Sequence, residues 1–185
     1  MPIFFVLPAF LLSTLMILAI SWPSLKRSGS HGFFRFLAWE TILILFLRNL
    51  KGWFAQPLSL HQILSWLCLL ASIYLVVEGA RLLRRRGRPD NRREDPSLVG
   101  IEKTTMLVTD GLYGYIRHPL YSSLLNLAWG LFFKSPGWID SGFAALATVF
   151  LWQTARVEEQ ENIQFFGEAY KDYIQKTKRF FPFVF

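Results

Sequence analysis

The chain has 185 residues, of which 52% are hydrophobic and 17% aromatic, and its net charge is +7. Its 18 Phe and 7 Trp are more than one water-soluble core of this length can bury, which excludes an ordinary soluble domain and points to a bilayer as the apolar solvent. The basic residues gather between apolar runs instead of covering an amphipathic surface, which argues against a nucleic-acid partner; the single Cys68 excludes an intrachain disulfide.

Residues 3–20 carry no charge and are long enough to cross a hydrocarbon core of about 30 Å. They lack a basic leader and a small-residue cleavage site, so they read as a retained first span. The segment SWPSLKRSGSHG is a loop. A second apolar run, 33–50, contains Glu40 and is bounded by Arg35 and Arg48; after KGWFAQP a third run, 58–80, begins near His61 and ends near Glu78. Ionisable groups in such runs are functional candidates by default, although Glu78 is close enough to Arg81 and Arg84 to be read as a structural pair.

From 81 to 118 the sequence is polar and strongly basic, opening with RLLRRRGRPDNRR. Two apolar pieces follow, 119–133 and 137–155, separated by KSPGW, and together they read as a helical hairpin. Residues 156–178 are charged and helix-friendly. Phe165, Phe166, Ala169, Tyr170, Tyr173 and Ile174 predict one amphipathic helix there, with Gly167 as a kink point. The predicted fold is an all-α integral membrane protein with about five transmembrane helices and a C-terminal amphipathic cytoplasmic helix. Its parts are three N-terminal helices in 1–80 and a second unit in 81–185 made of the loop, the hairpin 119–155 and the last helix. Placing the 81–118 loop in the cytoplasm leaves only Arg48, Lys51 and Lys134 of the 20 basic residues outside, as the positive-inside rule requires.

The hairpin brings Arg117-His118, at its entrance, towards Glu158-Glu159, at its exit. The expected result is a mixed-charge pocket at the cytoplasmic boundary, roofed by tyrosines and suited to a zwitterionic cofactor that meets a lipid-soluble substrate. Bland alternatives are an arginine that snorkels to headgroups, an interfacial tyrosine belt, and two glutamates that simply favour a helix N-terminus. His31 and His61 have no partner motif, no His/Cys/carboxylate spacing predicts a metal site, and GLYG lacks the context of a phosphate-binding loop.

The stretch LVTDGLYGYIRHPLY, followed after the hairpin by EEQENIQFFGEAYKDYIQKTKRFFP, resembles the isoprenylcysteine carboxyl methyltransferases and their phospholipid N-methyltransferase relatives. The ordered pattern is T-x-G-x-Y, R-H-P-x-Y, a hydrophobic hairpin, E-E, F-G-x-x-Y-x-x-Y and a final R-x-x-P ending in Arg179 and Pro182, covering about residues 104–182. The resemblance implies an integral-membrane methyltransferase using S-adenosylmethionine. Its implied cofactor contacts are Met106, Leu107, Val108, Tyr113, Arg117, His118, Pro119, Leu120, Tyr121 and Glu158. The implied acceptor is a lipid or lipid-modified molecule, such as a prenylcysteine-like carboxylate or a phospholipid amine. A carboxylate acceptor needs no base; for an amine, Glu159 is the nearest candidate base. The family's substrate-orienting arginine falls here at Thr154, with Arg156 the nearest arginine, about half a turn away. A membrane oxidoreductase resembling steroid reductases, with a nicotinamide cofactor, and a non-catalytic scaffold are the competing readings.

Overall fold

The computed structural model describes residues 3–90, 98 and 100–182. The described residues form six α-helices and three short 3-10 turns, with two isolated bridges in place of any strand. The helices are α1 (Ile3–Leu25), α2 (His31–Arg48), α3 (Leu60–Arg86), α4 (Pro119–Phe132), α5 (Trp138–Phe166) and α6 (Glu168–Lys176). Two of them, Val6–Leu25 within α1 and Leu60–Arg86, are long and apolar enough to cross a membrane. Residues 91–97 and 99 of the basic loop lie outside the described residues.

Local chemistry sets the helix ends. Ser30 is extended (φ −67°, ψ 157°) and its Oγ accepts the Phe33 N–H at 3.2 Å, an N-cap that starts α2. Pro119 opens α4, where its missing N–H costs nothing. α3 runs on to Arg86, so the polar stretch predicted as loop from residue 81 begins as helix. Leu82 and Leu83 continue the inward face there while the arginines, good helix formers, complement the C-terminal end of the dipole. The segment predicted as one helix over 156–178 is also corrected. α5 continues unbroken to Phe166, Gly167 turns the chain at φ +62°, and α6 starts afresh. Glu158 and Glu159 therefore lie deep in α5, which removes the reading in which a helix N-terminus explains them.

The helices pack as two antiparallel pairs. α2 lies along α5, with Arg48 donating to Asp140 from Nε (2.8 Å) and Nη2 (3.2 Å) at one end, and His31 bonded to Glu161 at the other. α3 lies along α4, and the α4–α5 hairpin joins the pairs. Close contact between small residues brings the helices of these pairs together. Ala38, Ala128, Ala144, Ala147 and Ala155 are each 0% exposed, which lets the α2, α4 and α5 backbones approach. On the other pair, a Cβ at Gly130 would sit 3.0 Å from Leu69 Cγ and Cδ2, and Ser65 Oγ donates to the Gly130 carbonyl at 2.7 Å. α1 packs on α2, where Thr14 donates to Glu40 at 2.9 Å, and its outer face of Leu7, Leu11, Leu15 and Met16 is exposed.

The end with the α4–α5 turn, the one expected from the sequence on the outer side, is plugged by Lys134. Lys134 is 1% exposed, with its ammonium 3.5 Å from the Trp66 ring centroid and donating to Gln62 Oε1 at 3.1 Å. His61 Nδ1 lies 2.9 Å from the Phe133 carbonyl beside it. Glu78 pairs with Arg81 at 3.2 Å, as its position in the sequence predicts.

Gly130→Leu forces a side chain into the α3–α4 contact. The expected result is a loss of about 1–3 kcal/mol, read as a lower unfolding midpoint in detergent. An unchanged midpoint would mean that the two helices do not touch here.

Candidate functional site

At the opposite end of the bundle the hairpin returns to its own start. Arg117 Nε donates to Glu159 Oε1 at 2.8 Å across 42 residues of sequence, the meeting of hairpin ends that the sequence predicts. Arg117 Nη1 also donates to the Ile174 carbonyl at 3.2 Å and to the Thr177 carbonyl, so it ties α5 to the chain beyond α6. Glu159 accepts in addition from Arg179, with Nη2 at 2.6 Å from Oε2 and Nε at 3.1 Å from Oε1. His118 stands before Pro119 with its ring stacked on Tyr121 (5.3 Å, 15°). Its Nε2 is 3.3 Å from Glu159 and its Nδ1 is 3.6 Å from Glu158 Oε2.

Backbone bonds hold the walls in place. Lys178 N–H donates to the Tyr115 carbonyl (3.0 Å), Arg117 N–H to that of Lys178 (2.8 Å), and His118 N–H to that of Arg179 (3.2 Å). The Gly87 carbonyl receives the N–H groups of Thr105 (3.0 Å) and Met106 (3.1 Å), and Tyr173 Oη donates to the Tyr113 carbonyl at 2.6 Å. The cleft so enclosed has about 590 Å³ of empty space, including the part open to solvent. Its floor is Leu83, Leu107, Val108 and Leu120; its aromatic walls are Tyr113, Tyr121, Phe166, Tyr170 and Tyr173; its polar groups are Glu102, Thr104, Arg117, His118, Glu158 and Asn162.

The charges are strongly biased. Burial works against the Glu159 carboxylate, but its bonds to His118, Arg179 and Arg117 hold its carboxyl far below the usual range. Burial likewise opposes a charged Glu158, and the facing His118 and His31 imidazoles outweigh it and lower its pKa. Burial opposes a charged His31 too, yet the bond to Glu161 and the nearby Glu158 raise its pKa. Burial, reinforced by Glu158, pushes the Tyr113 and Tyr170 phenols upward, and burial does the same to Tyr173, so these walls stay neutral. Glu158 Oε2 and Tyr121 Oη are buried and have no hydrogen-bond partner among the described residues. Buried polar atoms are rarely left so, and both line the cleft.

Of the residues predicted from sequence, Leu107, Val108, Tyr113, Arg117, His118, Leu120, Tyr121 and Glu158 line the cleft together. Met106 is 47% exposed and Pro119 packs near Gly79; neither lines it. Glu159 lies behind the wall in its ion pairs, and Arg156 is exposed, with its guanidinium 4.9 Å from the Trp152 ring. Thr154 is 0% exposed and its hydroxyl bonds to the Phe150 carbonyl at 2.7 Å. Tyr115 is 60% exposed and takes no part in the tyrosine roof.

The sequence reading missed Glu102, Asn162 and the roles of His31 and Arg35. Asn162 and Phe166 follow Glu158 at i+4 and i+8, so a continuous α5 would have placed them on the cleft face. Arg35, 1% exposed, pairs with Glu102 across 67 residues, a contact that no local pattern signals.

Glu159→Gln leaves Arg117 and Arg179 without their carboxylate. The expected cost at neutral pH is about 3 kcal/mol, read by unfolding in detergent. Because folding depresses the Glu159 pKa, its contribution is present above the ordinary carboxylate value of about 4.3 and is lost as pH falls below it. The variant should therefore lose less stability than wild type on acidification; an identical acid limb in both proteins would contradict this account.

Parts of the chain are similar to known methyltransferases. A segment of 86 residues, 46% of the chain, is 31% identical to methanethiol S-methyltransferase 1 of Bradyrhizobium diazoefficiens and covers 30% of that protein. A segment of 83 residues, 44% of the chain, is 31% identical to protein-S-isoprenylcysteine O-methyltransferase of Schizosaccharomyces pombe and covers 35% of it. The enzyme of the same name from Dictyostelium discoideum is 39% identical over 70 residues, 37% of the chain and 29% of that protein. The chain thus spans about a third of the length of the curated relatives it matches. No family model matches the chain, and no solved structure matches it significantly. Over this segment the chain resembles the isoprenylcysteine O-methyltransferases, and with them a methyltransferase whose acceptor atom is sulfur.

Proposed function

We propose that the chain is an integral-membrane methyltransferase that uses S-adenosylmethionine and acts on a lipid or lipid-modified acceptor. The observation that carries this reading is the half-buried Glu158, whose Oε2 makes no hydrogen bond among the described residues, set beside His118 and Tyr121 in an aromatic-walled cleft. The donor set fits a zwitterionic sulfonium nucleoside. Glu158 would take the ammonium group, Arg117 and His118 the carboxylate, and the tyrosine faces the sulfonium and adenine, for which an aromatic ring is a favourable neighbour. The cofactor supplies an electrophilic methyl group; the chain binds, aligns and keeps water out. In this reading Glu159 is a positioning residue: held ionised between Arg117 and Arg179, it fixes Arg117 and His118 and is poorly placed to take a proton.

Support for a lipid acceptor comes from a large apolar groove lined by Leu125, Trp129, Phe133, Val149, Trp152 and Phe181, with Phe180 at its edge. The Phe180 ring is 6.3 Å from the His118 ring, so one residue borders both groove and cofactor cleft. Arg156, over the Trp152 ring, stands at the groove and is the residue we assign to the polar end of the acceptor. We place α1 to α5 across the bilayer, with the cleft and α6 on the cytoplasmic side, on the distribution of basic residues.

With S-adenosylhomocysteine at about 100 times its dissociation constant, the detergent-purified protein should gain about 2.7 kcal/mol of stability, read as a thermal shift. His118→Ala and Glu158→Gln should abolish most of it while keeping their helical content. A shift with a nicotinamide dinucleotide alone would favour the oxidoreductase reading. No shift with either, in a folded protein, would favour a scaffold.

A further inference from the structure

We propose that the outer face at the end of α3 is a binding site for the headgroup of an anionic phospholipid, with Arg81, Arg84 and Arg85 around the phosphate and Val76, Val77 and Ala80 under its acyl chain. These six side chains line one shallow depression. They fall on two adjacent ladders of the helix, Val76–Ala80–Arg84 and Val77–Arg81–Arg85, so apolar and cationic residues succeed each other along a single face. Val76 is 42% exposed and Val77 60%, consistent with contact to lipid tails, while Arg84 and Arg85 are exposed.

The pairing of the arginines distinguishes this face from an ordinary charged helix end. Arg86 is committed to Asp110, and Arg81 shares its charge with Glu78 at 3.2 Å. Arg84 and Arg85 have no ion pair among the described residues. Helical side chains lean towards the N-terminus of their helix, which carries these guanidinium groups back towards the apolar part of α3 and to headgroup level. A free phosphate would find the two arginines but would leave Val76, Val77 and Ala80 without a partner, so the site is assigned to a lipid. The same turn of α3 buries Leu82 against Val108 and Tyr113 and presents Leu83 to the cleft. A bound headgroup therefore steadies the helix end that forms one wall of the site.

The test titrates phosphatidylglycerol into neutral-detergent micelles holding the full chain and follows lipid binding by the thermal midpoint. At about a fivefold gain per arginine at low salt, R84Q/R85Q should require roughly 30-fold more phosphatidylglycerol for the same shift. R84K/R85K, which keeps the charge, should stay close to wild type, and helical content should be the same in all three. Four results would overturn the proposal: an equal response to phosphatidylcholine, an equal response to inorganic phosphate, an undiminished response in R84Q/R85Q, or no response in wild type. Neither lipid binding nor its loss depends on methyl transfer, so failure here leaves the reading of the cleft as it was.

Discussion

The structure turns on one ion-paired knot, in which Glu159 is shared by Arg117, Arg179 and His118. Two charges brought out of water repay their desolvation only with good geometry and with further bonds for the remaining donors. Arg117 meets that condition through the Ile174 and Thr177 carbonyls, and Glu159 through the second arginine. Three distant parts of the chain, the entrance of α4, the far part of α5 and the segment after α6, are thereby fixed to one carboxylate. Everything that faces the cleft is placed relative to this knot, including Glu158, one residue away and turned to the other side.

That division between neighbouring glutamates organises the site. Glu159 takes contacts from Arg117, Arg179 and His118, whereas Glu158 is half-buried and its Oε2 has no hydrogen bond among the described residues. Adjacent residues on a helix point about 100° apart, so one can serve the scaffold while the other serves the cavity. The imidazole of His118 lies between them and is fixed by stacking on Tyr121. Around this polar centre the phenols stay neutral, which leaves aromatic faces and apolar side chains as the remaining surface.

Much of this was legible in the sequence because it is written locally. Apolar runs and Pro/Gly breaks give helix positions, and Arg117-His118 and Glu158-Glu159 are polar exceptions at the edges of such runs. The errors arose where tertiary packing overrode a change of composition. The residues from 81 and from 156 look like the start of a loop and of a new helix, but the buried faces of α3 and α5 continue there, through Leu82 and through Glu159 and Asn162. Partners across long separations, such as Arg35 with Glu102 or Lys134 within its tryptophan pair, leave no periodic trace in a single sequence. Lys134 sits in a turn and is nevertheless buried, and the aromatic rings around it supply stabilisation that water would otherwise give.

The backbone pairing of residues 178 and 179 with residues 115 to 118 has a consequence for the order in which the molecule is made. A nascent chain presents α4 and α5 before the residues that complete their mouth have left the ribosome. Until then Arg117 has Glu159 but neither of its carbonyl acceptors, and Ser122 lacks the Phe180 carbonyl that receives its hydroxyl proton at 2.8 Å. The cleft is therefore closed only once residues 177–180 have been made, when an extended strip of chain closes over a hairpin already in place. A chain made only as far as α5 holds the paired helices but no finished chamber.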